Sequence, residues 1–178
     1  CLFAFDKLGN GAVQLIEENP YILCEGDGKI SFERAEQIAE MLPYKPKSQY
    51  RIEAGILYVI SYNFKNGHTC VPLEKLFTPS CDLLGESREN IEIAIDNLKE
   101  NDKIIIKEIN NKDFVFILKA YHAEMSIANR IKVLLKFPPE NPIDVKSYID
   151  KLEKTCNIQY ADKQKDAIIT AVNKGILI

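Results

Sequence analysis

His68 and Cys70 stand two residues apart in "NGHTCVP", a spacing that puts both side chains on one face of an extended segment. Such a pair is half of a thiol nucleophile with its base, or half of a metal site. The other half is missing. A zinc site needs three or four protein ligands, and a thiol nucleophile needs a base held by a third group. Nothing near this pair in the sequence supplies them, so packing is the reading for both residues. The five cysteines, Cys1, Cys24, Cys70, Cys81 and Cys156, are odd in number, scattered, and never in a C-x-x-C pair. That spacing fits neither a disulfide framework nor a zinc site, and it sets aside a thiol or zinc enzyme. They read as reduced thiols, mostly core filler. His122, in "YHAEMSIANRI", reads as a helix-start residue satisfied by Glu124 or by backbone.

Phosphate chemistry has a better foothold. "PYKPKSQYR" carries Lys45, Lys47 and Arg51 with no acid, the most cationic short window in the chain. The net charge of −3 and an isoelectric point near 5.5 argue against a protein that coats phosphate over its whole surface, so any DNA contact has to be local. No apolar run approaches the ~20 residues of a membrane span and no signal peptide opens the chain, which predicts a cytoplasmic protein without a membrane partner.

The elements that must position these groups follow from periodicity. Helical patterning from about Phe5 to Leu42 is broken at Asn19-Pro20 and at Gly26-Asp27-Gly28, which predicts short helices in a hairpin. In the second, Phe32, Ala35, Ile38, Ala39 and Leu42 share a face opposite Glu33, Arg34, Glu36 and Gln37, with Ser31 as N-cap. After the basic window a helix runs to about Lys65, then an Asn66-Gly67 turn, an extended "HTCV", and a helix opened by Pro72. A third helix, capped by Ser87, runs to Asn101. "KIIIKEI" and "FVFILKA" around "NNKD" predict a β-hairpin. A longer helix follows, from about Tyr121 to Leu135, with Met125, Ala128, Ile131 and Leu135 at core spacing. "FPPENP" ends it, and a helix begins near Ile143. The chain closes on a helix, Gly175, and a predicted strand of Ile176, Leu177 and Ile178. An opening Cys1 inside helical text and a closing strand without neighbours predict a fragment of a longer protein.

Five stretches in this order carry a resemblance. "ENPYIL" leading to "ISFERAEQIAEML", "YRIEAGILYVI" with "NGHTCVPLEKL", "KAYHAEMSIANRIKVL", "YADKQKDAI", and "GILI" resemble the RecD-like branch of the superfamily-one DNA helicases. The resemblance covers nearly the whole chain. It implies a mainly α fold with a small β-hairpin: a degenerate helix-hairpin-helix region over 1–46, a winged helix-turn-helix over 47–136, and over 137–178 a linker with the first helix and strand of a truncated P-loop ATPase domain. It also implies that the closing strand runs into a glycine-rich phosphate loop beyond Ile178, so that ATP and magnesium belong to the full-length parent and none is expected on this fragment.

By the same resemblance Gln164 stands where the family places the glutamine that reads adenine, an amide offering one donor and one acceptor to the base edge. The family's Leu-Ser-x-x-Gln is here Tyr160, Ala161, Asp162, Lys163, Gln164, which leaves capping of the helix to Asp162. The family's Gly-hydrophobic-Gly phosphate turn falls on Lys29, Ile30 and Ser31, so both glycines are replaced and Lys29 would reach a phosphate with its side chain. The DNA contacts implied are Lys29, Ser31, Lys45, Lys47 and Arg51. The partners implied are single-stranded DNA and other subunits of a nuclease-helicase complex, and the activity is a 5′-to-3′ helicase in repair or recombination. The alternative is a self-contained, non-enzymatic helix-hairpin-helix and winged-helix module that binds DNA or protein. The third helix bears on that choice. "SRENIEIAIDNLKEND" sets Glu89, Glu92, Asp96, Glu100 and Asp102 against Arg88 and Lys99, a sign that repels phosphate and favours a protein-docking or spacer role.

Overall fold

The computed structural model describes residues 8–24, 30–43, 48–139 and 144–178. It is mainly helical with one small antiparallel sheet, and it divides into two compact units, 1–121 and 122–178.

In the first unit, α1 (Ala12–Glu18) leads to a 3-10 turn over Pro20–Cys24 and to α2 (Phe32–Met41). The Ser31 hydroxyl accepts from the Arg34 N–H, the N-cap bond that its position before an apolar-periodic run predicts. Then come α3 (Ser48–Lys65), β1 (Cys70–Pro72), α4 (Leu73–Leu84), α5 (Arg88–Glu100), β2 (Ile104–Ile109) and β3 (Lys112–Ile117). Ser87 caps α5 by accepting from Asn90 N–H. Helix α4 ends at Gly85, whose φ of +67° suits a residue without a Cβ. The hairpin turns on Asn110 and Asn111, both at positive φ, as a two-residue turn that matches strand twist requires. Strand β1 adds to the far side of β3, with Val71 opposite Val115, so the strand order is β1-β3-β2.

One core serves residues on both sides of position 46. Ile56, Ile60, Leu76, Ile91, Leu98, Ile104 and Val115 are fully buried, and Tyr21 and Phe32 of the helical hairpin belong to the same cluster. Phe32 stacks between Tyr21 (5.9 Å) and Tyr58 (5.7 Å). Helices α3 and α4 approach closely at Gly55, where a Cβ would stand 2.5 Å from Leu84 Cδ2.

Helix α6 (Leu118–Lys136) starts in the first unit, and α7 (Val145–Cys156) and α8 (Asp162–Lys174) lie in the second. Two expectations change here. The core stripe predicted on α6 is not buried: Met125 is 41% and Leu135 is 65% exposed. Spacing decides which residues share a face, whereas burial needs something to cover it. The closing strand does not form either. Residues 176–178 pair with no strand among the described residues, and an extended segment gains its hydrogen bonds only from a neighbour.

Candidate nucleic-acid and nucleotide contacts

The helical hairpin is closed by local bonds. The Asn19 side-chain oxygen accepts from Tyr21 N–H (3.1 Å), and Leu23 carbonyl accepts from Ile30 N–H (3.1 Å), drawing the 3-10 turn against the start of α2. Of the residues expected to meet DNA, Lys29, Lys45 and Lys47 lie outside the described residues. Ser31 lies at the α2 N-terminus, where unpaired amides and the helix dipole favour an anion. A carboxylate of the chain already stands there. Glu33 accepts from the Tyr58 hydroxyl at 2.6 Å, and its acid is held below the ordinary carboxylate range. The Tyr58 bond is the chief cause, with its own backbone N–H and the Ser31 hydroxyl adding to it. An incoming phosphate therefore meets a self-neutralised helix start, and must either displace Glu33 or rely on cations beside it.

Arg51 is half-buried and engaged by the protein itself. Its Nε lies 3.1 and 3.0 Å from the two Glu36 oxygens, one Nη donates to Glu36 at 2.9 Å, and the other donates to the Leu84 carbonyl at 2.8 Å. Glu36 also accepts from the Tyr21 hydroxyl, whose burial, with Glu36 beside it, pushes the phenol far above its ordinary pKa. The fork thus joins α2, α3 and the end of α4. Leu84 lies in the last turn of its helix, where carbonyls lack an intrahelical partner.

In the second unit, Gln164 is exposed and its side-chain oxygen accepts from Ala161 N–H at 3.0 Å. The N-cap residue is Ala161 and not the expected Asp162, which lies one position inside the helix. Alanine has no acceptor, so Gln164 reaches back to supply the end of the helix. Its oxygen keeps a second lone pair and its NH2 donates to no described residue, which leaves the donor and acceptor that a base edge needs. The loop before α8 is tied by Glu153, which accepts from Tyr160 N–H (2.7 Å) and from Lys165 Nζ (2.9 Å). Lys165 holds the Glu153 acid low, with the Tyr160 N–H assisting, and Glu153 in turn raises the Lys165 ammonium.

His68 is exposed and precedes β1, whereas Cys70 opens that strand half-buried. Among the described residues, no three His, Cys, Asp or Glu side chains are placed to hold a metal. On α5, Arg88 is engaged by Glu92 (2.9 Å) and Glu74 (3.3 Å) and covers the Phe77 ring at 4.0 Å. Its outer face keeps an acidic character around Ile93, which is 60% exposed. Tyr21, Glu36, Tyr58 and Glu153 are the residues that sequence reasoning passed over. Only Glu36 carried a signal, as a carboxylate on the helix flanking the cationic window. No helix among the described residues is long and apolar enough to cross a membrane.

Residues 3–70, well under half of the chain, match a family described as the HHH domain of ATP-dependent RecD2 DNA helicases. The match runs across position 46 and ends at the first residue of β1, taking in the helical hairpin and the whole of α3. It supports a RecD2-like helicase N-terminal region with a nucleic-acid-binding role.

Proposed function

We propose that this chain is the front part of an ATP-dependent DNA helicase that moves 5′ to 3′ on single-stranded DNA in repair or recombination. The observation that carries the reading is the match over residues 3–70, on a segment the structure builds as a helical hairpin packed on a longer helix. In the full-length protein, ATP with magnesium supplies the energy of strand movement through phosphate-anhydride hydrolysis. Gln164 holds the adenine edge through its NH2 and its remaining lone pair. Lys29, Lys45, Lys47 and Ser31 meet DNA phosphates, while Arg51 braces α2, α3 and the end of α4. The order helix, strand, two helices and hairpin from α3 to β3 supports a winged helix over 47–136. Residues 137–178 then open the ATPase domain.

Two measurements test the reading. The full-length protein is expected to show ATPase activity stimulated by single-stranded DNA, and its absence would refute the motor. For this chain, fluorescence anisotropy with labelled single-stranded DNA, from about 50 to about 200 mM salt, should give an affinity that falls with salt. Each phosphate-contacting lysine removed by Lys→Ala reduces the log–log slope by about 0.7. A slope that stays the same on changing Lys29, Lys45 and Lys47 would move the DNA contact elsewhere. The acidic face of α5, with Ile93 exposed at its centre, favours a second reading for that helix alone. There a protein partner docks, such as another subunit of a nuclease complex, or the target of a self-contained binding module.

A further inference from the structure

Glu153 sits in the last turn of α7, and its two carboxylate oxygens take partners on opposite sides of the turn into α8. One accepts from Tyr160 N–H, just before that helix, and the other from Lys165 Nζ in its first turn. The Glu153 carbonyl accepts from Ile158 N–H at 3.2 Å, and Asn157 takes the left-handed conformation (φ +51°) that reverses the chain. Gln164 lies between these anchors. Its own bond, from Ala161 N–H, exists only while the backbone at 160–161 keeps its direction. The Glu153 side chain is 17% exposed and that of Lys165 27%, and both limbs are charge-assisted or charge-accepting bonds of short length.

We propose that Glu153 is a positioning residue for Gln164, fixing residues 157–165 in one arrangement so that the amide is set toward a base before nucleotide arrives. The inference rests on the adenine-reading role of Gln164 given above. It assigns base selectivity to a carboxylate that touches no nucleotide.

The test is equilibrium binding of fluorescent N-methylanthraniloyl ADP and GDP to the full-length protein. Glu153→Ala is expected to weaken ADP binding about tenfold, the equivalent of one charged hydrogen bond, and to leave GDP binding unchanged. Glu153→Gln keeps an acceptor for Tyr160 but loses the charge, and falls between. A second readout uses this chain alone: in Glu153→Ala, hydrogen exchange at the Tyr160 amide accelerates about tenfold with helix content preserved. Unchanged exchange overturns the brace. If Glu153→Ala does not fold, Lys165→Met removes one limb and carries both readouts. Gln164→Ala separates the two levels of the argument. If it leaves the ADP-to-GDP ratio unchanged, the adenine reading fails and this inference fails with it. If it collapses the ratio while Glu153→Ala does not, the inference alone is wrong.

Discussion

Replacing Arg51 with methionine keeps much of the apolar stem and removes the fork, so the loss it causes measures the brace. Two limbs go. The bond from a charged donor to the Leu84 carbonyl contributes about 1.5 kcal/mol. The pair with Glu36 is bidentate, but the side chains are 32% and 27% exposed, and solvent screening brings its share to about 1 kcal/mol. The expected loss is about 2.5 kcal/mol. In urea, followed by tyrosine fluorescence and far-UV circular dichroism, that is a midpoint shift of about 1 M at an unchanged slope. A double-mutant cycle with Glu36→Gln should return a coupling of about 1 kcal/mol. The salt slope for DNA binding should stay as it is in the unaltered chain, since a lost phosphate contact would reduce it by about 0.7. A stability loss below about 0.5 kcal/mol, or no coupling to Glu36, would refute the brace. A reduced salt slope would return Arg51 to the DNA surface.

Further outcomes follow from the same packing. Gly55→Ala gains about 1 kcal/mol of helix propensity but drives a methyl into Leu84, and a net loss of about 1 kcal/mol is expected in urea. In a Leu84→Ala background the same change should stabilise, and the absence of that reversal would exclude the clash. Ser80 is fully buried and its hydroxyl finds no partner among the described residues, so Ser80→Ala should raise stability by about 1 kcal/mol; a loss would mean that the hydroxyl is bonded. Tyr21 holds its proton more tightly folded than unfolded. Its contribution is therefore complete below the unfolded tyrosine pKa of about 10 and shrinks as pH rises above it. The stability difference between the unaltered chain and Tyr21→Phe should be flat to that point and then fall. A difference that grows with alkaline pH would reverse the sign of the argument.

The local parts of this fold were legible because their causes lie within a few residues. Ser31 and Ser87 cap helices from three residues away, and Asn110 and Asn111 make a turn between two β-rich runs. Nonlocal parts left no such trace. Glu36 reads as a wet-face residue until α3 brings Arg51 against it, 15 positions on, and Leu84 is 33 positions from its donor. Strand β1 reads as extended, but its place beside β3 depends on residues 42 or more positions later. The α6 stripe failed for a related reason, since helical period predicts a face and says nothing about its cover. At α8, an aspartate beside the start looked like the cap, yet glutamine three positions in makes the bond because its longer side chain folds back.

The aromatic stack of Tyr21, Phe32 and Tyr58 makes the hairpin and the sheet-bearing part a single cooperative unit. Neither melts without uncovering the other. Heating should therefore give one transition for everything from α1 to β3, with no early loss of the hairpin. The peptide bonds around position 46 can be cut without parting the halves, because Phe32 and Glu36 stay lodged against Tyr58 and Arg51 across the break. A piece prepared from residue 47 onward would instead carry an open apolar notch where Phe32 belongs, and would be prone to self-association.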